Sequence, residues 1–142
     1  MPGRDEAPGG PLDVHTLEML AGRATTHPLV ADWLFRPDAI SPRVLELRLD
    51  ASRYPSDVDE ARLDVRWFVG GDYTVHYLED GPDDPWQCRW DRHPKPDGPR
   101  AHFHPPPDAS GVEPSPIDGA HPLEVGFSVL RWIEDRLDDQ YE

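Results

Sequence analysis

Apolar and polar residues alternate through the middle of the chain. In RVLELRLD, Leu45, Leu47 and Leu49 fall on one side and Glu46, Arg48 and Asp50 on the other, the period of two that a half-buried strand requires. ARLDVRWFV repeats the pattern, with Leu63, Val65, Trp67 and Val69 against Arg62, Asp64 and Arg66. Gly70-Gly71-Asp72 then supplies a hairpin turn. DYTVHYLED returns with Tyr73, Val75 and Tyr77 inward and Thr74 and His76 outward, and Asp80-Gly81-Pro82 ends it. WQCRWD sets Trp86, Cys88 and Trp90 against Gln87, Arg89 and Asp91. The mixed run LVADWLF before Pro37 and the segment AHFH add two shorter candidates; in AHFH, Phe103 points inward and His102 and His104 share the other side.

Two stretches change period. DVHTLEMLAGRA offers Asp13 as an N-cap, apolar Val14, Leu17, Met19 and Leu20 near helical spacing, and Gly22 as a stop. PLEVGFSVLRWIEDRLDD carries a stripe of Leu123, Phe127, Leu130, Ile133 or Glu134, and Leu137, widened or flanked by Val125 and Trp132. These elements predict an α+β domain, an antiparallel meander of about four to six strands with a short N-terminal helix and a C-terminal helix packed on one face. Residues 1–12 read as a flexible arm and 13–142 as one domain with a Pro/Gly-rich loop region at 93–122. A loop of that length is usually functional or disordered.

The charge balance is 28 acidic against 14 basic residues, with 13 arginines and one lysine. It points to a strongly saline cytoplasm, where screening lets dense surface acid persist. Acidity therefore reports habitat more than partner. A single cysteine, Cys88, excludes an internal disulfide and a cysteine-rich zinc cage. No apolar run approaches membrane-helix length, and the N-terminus lacks a signal-peptide centre, so a cytoplasmic protein is expected.

Against that acidity, residues 86–104 set Arg89, Arg92, Lys95 and Arg100 against Asp91 and Asp97, a local balance of +2. Such a patch suits a phosphate backbone, with arginine as the bidentate partner. Arg89 and Asp91 should share the open face with His76 and Arg66, while Arg92, His93 and Lys95 sit on the loop that follows. Three chemistries fit. Metal-free phosphodiester cleavage would use His102 or His104 with His93 or His76 as base and acid, Arg89 or Arg92 for developing charge, and Asp91 to fix a ring tautomer. A divalent metal would take His102, His104 and either His93 or Asp91. Otherwise the segment is a solvated, proline-stiffened connection. His15, His27 and His121 read as local polar groups, the tryptophans and Cys88 as core, and Asp83-Asp84 as a solvated turn.

The succession YTVHYLEDG, CRWDRHP, AHFHPPPD and PLEVGFSVLRWIEDRL resembles the TumE family of toxin-antitoxin proteins over about residues 29–139. Arg89, Asp91, His93, His102 and His104 match the polar positions of that family's signature, and Tyr73, His76 and Tyr77 match its preceding strand more loosely. The resemblance implies the toxin half of a pair encoded beside a helix-turn-helix antitoxin. It places the active or binding site on those five residues. Taken with the clustered histidines, it makes RNA the expected target, with His102 and His104 as acid-base groups, Arg89 on phosphate charge, Asp91 and His93 orienting, and His76, Arg66, Arg92 and Lys95 contacting substrate. The rival expectations are a non-catalytic binding or regulatory protein and a metal-dependent hydrolase built on His-x-His.

Overall fold

The computed structural model describes residues 10–93, 100–117 and 119–141. Its elements run α1 (Val14–Ala24), β1 (Val30–Arg36), β2 (Val44–Leu49), a single 3-10 turn (Ala51–Arg53), β3 (Glu60–Trp67), β4 (Tyr73–Asp80), β5 (Trp86–Arg92), β6 (Ala101–His104), β7 (Glu113–Pro114) and α2 (Pro122–Gln140). The seven strands form one antiparallel sheet in sequence order. The α+β expectation holds, with the two-residue β7 adding a strand to the anticipated meander.

Strand parity divides the sheet. Leu45 opposes Val65, which opposes Val75, which opposes Trp90, and Trp90 opposes Phe103. All five are buried under the helices. The alternating strands fall on their expected faces, but Val69 does not. Pairing of β3 ends at Trp67, so Val69 lies beyond the sheet, exposed. Residues 10–12 also depart from the free-arm expectation: Leu12 forms a bridge with Phe68, and Val69 donates its backbone N–H to Pro11. Residues 1–9 lie outside the described set.

Both helices begin on side-chain caps. Asp13 accepts from the Thr16 backbone N–H at 3.1 Å, and His121 forms a capping box with Glu124 ahead of Pro122 in the first turn of α2. Gly22 does not stop α1, which continues to Ala24 and buries Leu17, Leu20, Ala21 and Ala24. The α2 seam is rotated from the expected stripe: Val125, Val129, Ile133 and Leu137, spaced four apart, are buried with Leu130, while Leu123 and Phe127 sit at the margin. A Cβ at Gly126 would lie 3.2 Å from Leu20 Cδ2, so glycine there permits the close approach of α2 to α1. Trp132, half-buried, packs against the core edge-on to Trp90 at 5.1 Å between ring centroids.

One polar network lies on the covered side. Glu79 shares parity with Tyr77 and is buried. Its carboxylate accepts a fork from Arg136 of α2, at 2.7 and 2.9 Å, and bonds from Tyr77 and Tyr141. Tyr54 and Tyr77 share a further hydroxyl bond of 2.7 Å, and the Arg136 guanidinium lies 3.3 Å from the Trp86 ring centroid. This network clamps the end of α2 to the hairpin end of β4. Replacing Arg136 by Ala leaves Glu79 buried and uncompensated, an expected loss of about 3–5 kcal/mol in denaturant titration. Burial raises the Tyr54 and Tyr77 hydroxyls above the ordinary value. The folded chain thus keeps protons that the unfolded chain releases near pH ~10, so stability is full below that pH and falls as pH rises through it. Tyr54→Phe is expected to flatten that alkaline slope.

Candidate functional site

Two rows of side chains cross the uncovered face. In the first, Asp64 opposes His76, His76 opposes Arg89, and Arg89 opposes His104. In the second, Arg66 opposes Thr74, Thr74 opposes Asp91, Asp91 opposes His102, and His102 opposes Pro114. The register places Arg66, His76, Arg89, Asp91, His102 and His104 on one face, as their parity predicts.

Asp91 is the hub. It is 4% exposed, and its Oδ2 accepts from Arg89 Nε at 2.9 Å and meets His104 Nε2 at 2.9 Å. Its Oδ1 is buried with no hydrogen-bond partner among the described residues. The other nitrogen of His104, Nδ1, donates to the Gly111 carbonyl at 2.9 Å. Both ring nitrogens are therefore engaged by oxygen atoms, and an acid-base role would first require breaking one of these contacts. Arg89, held through Nε, is 39% exposed along its side chain.

His102 is 3% exposed, and its ring lies 5.5 Å from that of the half-buried His93. His76 Nε2 donates to Gln87 Oε1 at 2.8 Å. Arg66 is exposed near the end of β3. The loop placement of Arg92 is corrected: it is the last residue of β5, opposes Tyr73 and Ala101, and shares the parity of Trp90. Its Nη1 lies 3.3 Å from the Gly71 carbonyl and 3.5 Å from Asp72 Oδ1, and Arg100 donates to the same Asp72 oxygen at 2.8 Å. Gly71 takes a φ of +94°, which favours glycine at this turn. The basic patch is thereby divided: Arg89 and Arg66 on the open face, Arg92 and Arg100 on the buried Asp72 at the β3–β4 turn. Lys95 lies outside the described residues.

As to the metal alternative, among the described residues no group of three His, Cys, Asp or Glu side chains is placed to hold an ion. Several polar groups near the site were not singled out as candidates from the sequence. Thr74 and Gln87 stand in or beside the rows and were legible by parity, as was the inward Glu79. The Gly111 carbonyl, the partner of His104, carried no sequence signal. A second buried carboxylate on this face, Glu46, is held by Arg36 at 2.7 Å and Arg48 at 2.8 Å.

The described part of this site lies within residues 20–137, the segment that matches the family described as Toxin TumE. The chain belongs to the TumE toxin family. That membership makes it the toxin component of a toxin-antitoxin pair, with an antitoxin as partner. No curated protein and no solved structure matches it. No described helix of this TumE-family chain is long and apolar enough to cross a membrane. Its Cys88 lies on the covered face, and burial pushes the thiol up to about 12. Cys88 is therefore expected to resist a thiol-specific reagent at mildly alkaline pH, reacting fully only once denaturant unfolds the chain. A native thiol that reacts as fast as free cysteine would contradict this placement.

Proposed function

We propose that this TumE-family toxin acts on RNA at the open face of its sheet. The observation that carries the reading is Asp91, which from inside the protein fixes Arg89 by Nε at 2.9 Å while the arginine side chain stays 39% exposed. That arrangement suits a phosphate: a planar fork, held from behind, with no rotamer search on binding. Arg66, on the adjoining row, would take a neighbouring phosphate.

Cleavage on this face needs one group to take a proton from a ribose 2′-hydroxyl as it attacks phosphorus, and one to give a proton to the departing 5′-oxygen, leaving a 2′,3′-cyclic phosphate. His93 and His102, in ring contact, are the pair proposed for these transfers, and Asp91 and His104 hold the frame. Arg89 stabilises the charge that builds on the phosphoryl oxygens. The antitoxin is proposed to be a helix-turn-helix protein, and the working milieu a saline cytoplasm, in keeping with the surplus of acid over base.

A second reading, a docking face without chemistry, is favoured by one observation: His102 and Asp91 are almost wholly buried, as supports beneath a binding surface would be.

The test is growth of a salt-adapted host, and integrity of its RNA, after induction at matched abundance. The wild type is expected to arrest growth and cleave RNA. Arg89→Ala is expected to lower cleavage about 100- to 1,000-fold, and His93→Ala about 100- to 10,000-fold. Asp91→Asn should follow Arg89→Ala, since it frees the guanidinium. Intact RNA at high salt, with and without divalent ions, would sink the nuclease reading. Arrest lost with Arg89→Ala but kept with His93→Ala would assign the face to docking.

A further inference from the structure

β1 stands at one edge of the sheet, and no described segment pairs with its outer side. α1 packs on β2 and β3, and within β1 Val30 and Phe35 are buried. Trp33 is left 39% exposed, edge-on to Phe35 at 5.6 Å. An open strand of seven residues is a template for pairing with another chain. The question is which chain.

The side chains of β1 answer it. Asp32, Leu34 and Arg36 lie on the open face, opposite Arg48, Glu46 and Val44, and Trp33 and Phe35 lie on the covered face, opposite Leu47 and Leu45. Asp32 and Arg36 are equally distant from Leu34, and so are Trp33 and Phe35. An antiparallel copy of β1 related by a two-fold axis at Leu34 therefore sets each Asp32 against an Arg36 and each Trp33 against a Phe35. Sliding the copy by two residues one way sets Arg36 against Leu34 and Asp32 against Asp38, and the other way sets Asp32 against Leu34 and Arg36 against Val30, so either slip loses the opposite-charge pairs. Opposite charges and aromatic pairs directly across an antiparallel ladder are favourable.

The limits of the strand agree with this register. The register irregularity between Val30 and Asp32 closes one end, and Pro37, which has no N–H to donate, closes the other. Both edge devices spare residues 32–36. We propose that two copies of this chain pair through β1, centred on Leu34, to make one sheet continuous across a two-fold dimer. Such a contact is isologous, each copy offering the same strand to the other. The two Arg89/Asp91 faces then lie on the same side of the joined sheet, because the axis runs perpendicular to it.

Light scattering is expected to give twice the 16.1 kDa mass of the chain. Asp32→Arg, which sets like charges opposite each other twice, is expected to return it to the single-chain value with unchanged circular dichroism, since Asp32 is exposed. Register is read by cysteine. Leu34→Cys places a thiol opposite its own copy and should give a disulfide-linked dimer on mild oxidation. Asp32→Cys faces Arg36 instead and should not. A wild type that stays monomeric at every concentration tested, β1 being then left to another protein such as the antitoxin, overturns the proposal. Equal crosslinking of the two cysteine variants does so as well.

Discussion

The pleat that sends Cys88 and Trp90 under α2 is the same one that sends Arg89 and Asp91 to the uncovered face. One register therefore governs both the stability of the molecule and the geometry of its site. A slip of one residue in β5 would bury Arg89 and expose Trp90 together, exchanging every side chain between faces. Packing of Trp90 against Trp132 and Phe103 opposes such a slip. The apolar cluster thus acts on the site at one remove: it sets which oxygen of which carboxylate meets Arg89.

A second regularity concerns charge. The buried carboxylates among the described residues are Glu46, Asp64, Asp72, Glu79 and Asp91, and each meets at least one arginine. This gives the strong preference for arginine over lysine a structural meaning. A planar guanidinium can hold a carboxylate while other N–H groups reach a second acceptor, as Arg36 does between Glu46 and Asp64. A compact ammonium serves such forks less well. The acidic surplus lies largely at the surface, whereas these pairs organise the interior and the open face.

How much of this was legible depends on periodicity. Alternation located β2 to β5, and the parity of AHFH put His102 and His104 together on the face opposite Phe103, because burial on one face imprints a period of two on the chain; that His102 stands across from Asp91 came only with the register. The α2 seam was off by part of a turn, since Val125 and Val129 are smaller than the Leu and Phe that dominate the apparent stripe. Arg92 was assigned to a loop because proline and glycine soon follow it, yet pairing with Tyr73 and Ala101 extends the strand. Glu79 with Arg136 and Asp72 with Arg100 were not readable as pairs: each joins single polar residues far apart in sequence, and no spacing rule connects them. The fold follows from repeated signals. The site's finer geometry follows from unrepeated ones.

The strand order has a kinetic consequence. Each strand pairs with its neighbour in the chain, so the sheet can be built hairpin by hairpin without waiting for a distant partner. Its cover is split, for α1 precedes every strand and α2 follows them all. During synthesis the part of the apolar face that α2 covers is therefore expected to be complete before it is capped, and the interval until α2 docks is the one in which a nascent chain is most open to aggregation, to chaperones, or to a partner that reaches it first.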